Sequence, residues 1–354
     1  MSVCLSSHAL NDVDEEVPWF ASEACLSEVE AIMEQVAVGE RVERCGRMAK
    51  EALAAGGRRT RARLAIVACA VLGVARQDAI RWAAAVELVH NATLIHDDIQ
   101  DGDTHRRGHE AVWVTHGVGQ AINAGDLMLM LPYQVLEGMR TGFDRKWHLS
   151  RALASRSSQT VRGQAADMSL LSDRLFDWES YVRVAEGKSG QLIGLPVEGA
   201  AILAGLDPTV AHEIGDVFVT LGTLYQLQDD VLDLYGSKGR SPGTDLREGK
   251  MTALISAHLE RYPEEKNEWV AFLEEPPEEI SAEVVLGYRK RFREGGALED
   301  VCRSIRAIRQ ALDAAPILAE QPGLLEVATE FADWIVRELG EHLENEHLQY
   351  QMDS

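Results

Sequence analysis

The sequence predicts an all-α protein. Of its 354 residues, 46% are apolar but only 6% aromatic, a balance weighted toward Ala, Leu, Val, Glu and Arg that favours helix. Most apolar residues recur at three-to-four spacing, while strand-like alternation of β-branched residues is scarce. The interruptions are short and mostly glycine-rich, as expected of connections between packed helices.

Residues 1–25 read as a loosely ordered lead-in, and 26–354 as a single helical domain, because no linker divides the rest. Helical pattern begins near Ser27 and continues to about Glu346. Gly56-Gly57, Gly102 to Gly108 and Gly236 to Gly243 punctuate three junctions, and Glu274-Glu275-Pro276-Pro277 marks a further turn. No fixed-period repeat is evident.

Composition removes several function classes. A net charge of −22 argues against a nucleic-acid binder, which would carry a basic face. The acidic runs Asn11 to Glu16, Glu274 to Glu283 and Glu338 to Glu346 read as solvated surface. The five cysteines are odd in number and form no CxxC pair, which fits a reducing cytoplasm. No apolar stretch approaches a transmembrane span, and no basic region followed by an apolar core opens the chain.

Against this background two acidic motifs stand out. Asp97-Asp98-Ile99-Gln100-Asp101 and Asp229-Asp230-Val231-Leu232-Asp233 are both DDxxD, each at the end of an apolar, helix-patterned run. Residues i and i+4 share a helix face, so Asp97 can point with Asp101, and Asp229 with Asp233. Carboxylates so grouped repel one another unless a cation sits between them. Oxygen-only ligands suit Mg²⁺, which keeps several waters and bridges to substrate phosphates. A single DDxxD could be a solvated turn; two copies embedded in apolar sequence, where an unpaired carboxylate is costly, argue for a site.

Basic residues occur where a second anion would need them. Arg58, Arg59 and Arg61 crowd beside Gly56-Gly57, and Arg106-Arg107 follow the first acidic motif. Guanidinium groups match phosphate oxygens with a planar fork. Together with metal-binding acids they suggest two diphosphates, one held through metal and one held directly. Lys188 and Gln226 are further polar residues inside apolar helical runs. His105, His109 and His116 lack zinc-ligand spacing and read as surface or loop residues; Trp113 and Trp178 read as packing.

The chain resembles the trans-isoprenyl diphosphate (polyprenyl) synthases from about Gly56 to Ile255, with a weaker echo to about Val336. The first motif is followed by Arg106-Arg107, and the second has the form FQxxDDxxD, here Tyr225 to Asp233. Gly56-Gly57-Arg58-Arg59 corresponds to the GGKR loop, Lys188-Ser189 to a Lys-Thr pair, and Gln164 with Asp167 to GQxxD. His90 stands seven residues before Asp97, and Gly243-Thr244-Asp245 with Gly249-Lys250 match the tail of the second motif. So many short motifs in order make the resemblance specific.

The resemblance implies a large antiparallel helical bundle around a central cavity, the isoprenoid synthase fold, and a homodimer. It implies a cytoplasmic prenyltransferase condensing isopentenyl diphosphate with an allylic diphosphate, 1'-4 and trans. Asp97, Asp101, Asp229 and Asp233 would be the metal ligands, holding about three Mg²⁺ ions. Arg106, Lys188, Ser189 and Arg240 would bind the allylic diphosphate; Arg58, Arg59, His90 and Arg107 the isopentenyl diphosphate. Lys188, Ser189 and Gln226 would set dipoles near the developing cation, with released diphosphate as proton acceptor.

This sequence also departs from the family. Arg58 and Arg240 stand where lysines are usual, and Glu110 replaces a proline. The C-terminus carries Glu344, Asn345, Glu346 and Asp353 rather than a basic tail, so it is not expected to bind substrate. Chain length is expected to depend on Ala92 and Thr93, with Val89, Leu88 and Val86 deeper. No aromatic floor is present, which points to geranylgeranyl diphosphate. Farnesyl or C25 diphosphate remains an alternative, as does a terpene cyclase of the same fold. A cyclase has no use for a second diphosphate site. A non-catalytic subunit of a heteromeric synthase would be expected to lose an acidic motif, and both are intact here.

Overall fold

A computed structural model describes residues 23–39, 43–236 and 242–345. The first 22 residues of the expected lead-in, Arg240 and the end of the acidic tail lie outside the described residues. In chain order the α-helices are α1 (Glu23–Val38), α2 (Arg44–Ala54), α3 (Thr60–Val71), α4 (Arg76–Gln100), α5 (Val112–His116) and α6 (Val118–Glu137). They continue with α7 (Phe143–Ser169), α8 (Trp178–Ala185), α9 (Gln191–Ala204), α10 (Pro208–Tyr235), α11 (Thr244–Arg247) and α12 (Ala253–Arg261). The last are α13 (Lys266–Leu273), α14 (Ala282–Glu294), α15 (Ala297–Leu312), α16 (Pro316–Ala319) and α17 (Pro322–Asn345). The protein is all-α, as its periodicity predicts. The only strands among the described residues are a ribbon that starts in the Gly102–Gly108 break and ends just past it, where His105 pairs with Glu110 and Arg106 with His109.

Each unit is assembled from separated stretches of chain. The first comprises the described parts of Met1–Ser157, Leu192–Gly215 and Gln321–Val327; the second those of Ser158–Gln191, Asp216–Glu320 and Ala328–Ser354.

In the first unit α4 is the central element, buried around most of its circumference and packed chiefly on α6 and α3. A helix with little solvent face needs apolar or small residues on every side, which Ala83-Ala84-Ala85-Val86 and Leu88-Val89 provide. Trp82 is fully buried and donates from Nε1 to the Pro196 carbonyl at 2.8 Å. Gly199 makes room for it, since a Cβ there would strike the indole.

The second unit sets its helix starts by capping. Asp177 accepts from Ser180 N at 2.8 Å to begin α8, and Thr252 and Ser281 do the same for α12 and α14. Such caps satisfy amides that no helix turn can reach and contribute about 1 kcal/mol each. Trp269, Phe272, Tyr288 and Phe292 then form one aromatic cluster joining α13 to α14.

Candidate active site

In the first unit the last turn of α4 presents the first acidic motif. Asp97 and Asp101 are half-buried on one face, while Asp98 is only 4% exposed. One residue along a helix is a rotation of roughly 100°, enough to turn the middle carboxylate inward. There Arg106 donates from Nε to Asp98 at 2.7 Å and from a terminal nitrogen to Asp103 at 3.1 Å. Burial raises the Asp98 carboxyl above its ordinary value, against the pull of Arg106.

The basic residues divide in two. Arg59 caps α3 with a left-handed backbone (φ 50°), which sends its side chain inward to 5% exposure. There it meets Glu30 at 3.1 Å, Glu87 at 3.5 Å and the Leu53 carbonyl at 2.9 Å. Arg61 instead lies 3.1 Å from Nε2 of His90. Burial, and then Arg61, Arg107, Arg59 and Arg106, hold His90 well below its ordinary pKa of 6.5. A neutral imidazole that accepts at Nε2 carries its proton on Nδ1. That Nδ1 is buried with no hydrogen-bond partner among the described residues. Arg107, also left-handed (φ 52°), donates to the Gly56 carbonyl, and any Cβ at Gly57 would collide with its guanidinium. The double glycine thus lets backbone and arginine meet.

A pocket of about 400 Å³ opens on the Asn91–Asp98 side of α4, lined also by Glu51, Arg106, Arg107 and His116. His116 pairs with Glu51 at 2.7 Å. Along the same helix Val89 and Ala92 are buried and Thr93 is half-buried. The Thr93 hydroxyl donates to the His90 carbonyl at 2.8 Å, so its polarity is satisfied within the helix.

The second unit repeats the acidic arrangement on α10. Asp229 and Asp233 are half-buried and Asp230 is 4% exposed. Asp230 accepts from Tyr181 Oη at 2.7 Å, Gln226 Nε2 at 2.8 Å and Ala253 N at 2.7 Å. Burial raises its pKa to about 6 in spite of those donors. Ser189 donates from Oγ to Gln226 Oε1 at 2.6 Å, and Lys188 pairs with Asp167 at 2.6 Å. Lys188 and Ser189 lie on a π-helical turn, Glu186–Gly190, a local widening frequent at functional sites. It is pressed so close to α7 that a Cβ at Gly163 would strike the Gly187 and Lys188 backbone.

Past α10, Gly243 (φ 73°) donates to the Asp233 carbonyl at 2.9 Å, and Asp245 N donates to Asp233 Oδ2 at 3.2 Å. Burial, then Asp233 and Asp230, push the Asp245 carboxyl well above its ordinary value, opposed by Lys250. Among the described residues no group of three or more His, Cys, Asp or Glu closes into a metal cage. The donor set fits an ion that draws the rest of its shell from water and ligand oxygens, as Mg²⁺ does.

A family model for polyprenyl synthetase matches residues 42–285. The chain belongs to that family. It is 31% identical over 309 residues to a short chain isoprenyl diphosphate synthase of Methanothermobacter thermautotrophicus, covering 85% of this chain and 90% of that one. It is also 31% identical over 238 residues to a geranylgeranyl diphosphate synthase of Methanosarcina mazei, covering 66% and 74%. A solved geranylgeranyl pyrophosphate synthase matches with a TM-score of 0.77 at 26% identity, over 90% of this chain and 96% of that one. The fold is the isoprenoid synthase fold.

In this polyprenyl synthetase the first unit holds Asp97, Asp101, Arg106, Arg107, Arg58 and His90, and the second holds Lys188, Ser189, Gln226, Asp229 and Asp233. Arg59 is the predicted site residue whose surroundings differ most from expectation, since it is enclosed by carboxylates. Tyr181 escaped the sequence reading, whereas Arg61 and Asp245 were named there only as members of their motifs, without a role of their own. Glu87, an acid inside the apolar run Val86-Glu87-Leu88, was the available signal for Arg59, because a fully buried carboxylate needs a cation. Tyr181 carries no local signal.

Proposed function

We propose that this trans-prenyltransferase adds isopentenyl diphosphate to an allylic diphosphate until it reaches geranylgeranyl diphosphate. The supporting observation is the basic corner of the first unit. Arg61, Arg107 and a neutral His90 with an unpartnered, buried N–H make a site with use for a second diphosphate, which a cyclase would not need. Arg58, exposed beside them, joins that site; Arg59 supports it from beneath.

Asp97, Asp101, Asp229 and Asp233 would hold about three Mg²⁺ ions. When bound, these neutralise the leaving diphosphate. Arg106, positioned by Asp98, and Lys188, positioned by Asp167, would add fixed positive charge for the allylic diphosphate, with Arg240 as a further contributor. The allylic C–O bond breaks, the isopentenyl double bond attacks the cation, and a proton leaves to released diphosphate. Ser189 and Gln226 face that cation with dipoles. Ala92, Thr93 and Val89 give a wall of small and medium side chains, which favours geranylgeranyl over farnesyl length.

The reading requires 26–354 to act as one catalytic domain. A homodimer is supported by exposed Val118, Ile122, Met130 and Tyr133 on α6, with Phe143 and Trp147 opening α7. No described helix is long and apolar enough to cross a membrane, and Cys25, Cys45, Cys69 and Cys302 are free thiols, which supports work in the cytoplasm.

Product analysis tests the proposal. Purified protein with Mg²⁺, isopentenyl diphosphate and dimethylallyl, geranyl or farnesyl diphosphate should yield mainly geranylgeraniol after dephosphorylation. Farnesol would keep the synthase and remove the chain-length argument. A cyclic hydrocarbon formed without isopentenyl diphosphate would overturn the proposal.

A further inference from the structure

We propose that Asp230 is a positioning residue that sets the hydrogen-bond polarity of the Gln226–Ser189 pair, turning lone pairs rather than protons toward the allylic cation. The inference rests on the prenyltransferase reading above, and goes beyond it in giving the middle aspartate of the second motif a role distinct from its neighbours.

An amide has a donor end and an acceptor end, and a carboxylate can only accept. Asp230 is buried and takes hydrogen bonds from Tyr181, Ala253 N and Gln226. Gln226 therefore has its nitrogen committed to Asp230, leaving Oε1 to face Ser189. The Ser189 hydroxyl gives its proton to that oxygen at 2.6 Å. Each hydrogen bond in the chain thus donates toward Asp230, and the outer end of the chain, Ser189 Oγ, is left with lone pairs only. Such an end stabilises positive charge and offers no proton to the departing diphosphate. Buried hydrogen bonds polarise one another in the same sense, so the direction fixed at Asp230 is felt at Ser189.

Asp230→Asn keeps the shape but adds a donor. Its amide can then donate to a flipped Gln226, whose nitrogen faces Ser189 and turns the serine proton outward. Tyr181→Phe removes one bond to the same carboxylate without reversing anything. Ser189→Ala removes the end through which the polarity acts.

The test is a double-mutant cycle on kcat and the allylic KM, made on the full chain with Mg²⁺ after wild-type protein has been shown to form prenyl product. If wild type forms none, the functional reading fails before this one is reached. Asp230→Asn should lower kcat about tenfold or more with the allylic KM within about threefold, and the loss should shrink to about threefold or less in the Ser189→Ala background. Tyr181→Phe should cost no more than about threefold in kcat. In metal-free protein, Asp230→Asn should also move the Gln226 side-chain amide resonances, identified by their loss in Gln226→Glu. Equal losses in both serine backgrounds would overturn the proposal. So would a Tyr181→Phe loss of about tenfold or more in kcat, a result readable even if the asparagine variant does not fold.

Discussion

The two DDxxD motifs share a backbone arrangement but differ in how the middle carboxylate is stabilised. Asp98 is met by a cation, Arg106, with Asp103 on its other side. Among the described residues Asp230 is met by neutral donors, from Tyr181, Gln226 and Ala253. In both motifs the outer pair stays half-buried while the middle residue goes inward. A repeated motif therefore splits into a more exposed outer pair and a third acid with a local task. In one unit that task is holding an arginine, in the other holding an amide.

The largest effect expected from this comparison is the loss of an outer carboxylate. Asp97→Ala and Asp229→Ala should each lower kcat by about 10³-fold, with little change in melting temperature. If either variant kept near-normal turnover, the division into outer and inner acids would break.

Next comes stability. Arg106→Met strands a buried carboxylate and should cost about 2 kcal/mol in urea unfolding, discounted because Arg106 is partly exposed. Tyr181→Phe leaves Asp230 with two donors and should cost about 1 kcal/mol. The reverse order would show that the cation is not what stabilises Asp98.

The basic loop offers the same contrast between adjacent residues. Arg59→Ala should lose about 3 kcal/mol of stability, because it leaves Glu87 buried and uncompensated. Arg61→Ala should fold normally and raise the isopentenyl diphosphate KM by about 10- to 100-fold.

A smaller effect concerns pH. His90 is held well below its ordinary 6.5 by burial and the surrounding arginines. Below about pH 6.5 the unfolded chain takes up a proton at this residue that the folded chain refuses, so stability falls as pH drops through that value and rises with pH within the window. His90→Gln should flatten that part of a stability–pH profile. The smallest effect on rate is expected from Thr93→Phe, which should shorten the main product toward farnesyl length with turnover within about threefold; unchanged product length would show that this position does not bound the chain.

Much of this was legible in the sequence. The helices followed from three-to-four spacing, and the outer aspartates from i, i+4 geometry at the ends of apolar runs. The separation of Arg59 from Arg61 was not, because it depends on a left-handed backbone at a non-glycine residue, which local sequence does not announce. The role of Asp230 was hidden for another reason. Its partners lie at positions 181, 226 and 253, and only the turn of α10 next to it is local. The Gly102–Gly108 break proved to open a short ribbon running to Glu110, which sets Arg106 and Arg107 beside the end of α4.

The proposed reaction requires two diphosphate sites of opposite kind, one made by arginines and one made by metal. Calorimetric titration with and without a chelator would test this. Isopentenyl diphosphate should bind at one site per chain without metal, and that binding should weaken about 10- to 100-fold in Arg61→Ala. A non-ionisable allylic thiodiphosphate should bind tightly only with Mg²⁺ present. Metal-independent binding of the allylic analogue, or an absolute metal requirement for isopentenyl diphosphate, would contradict the account.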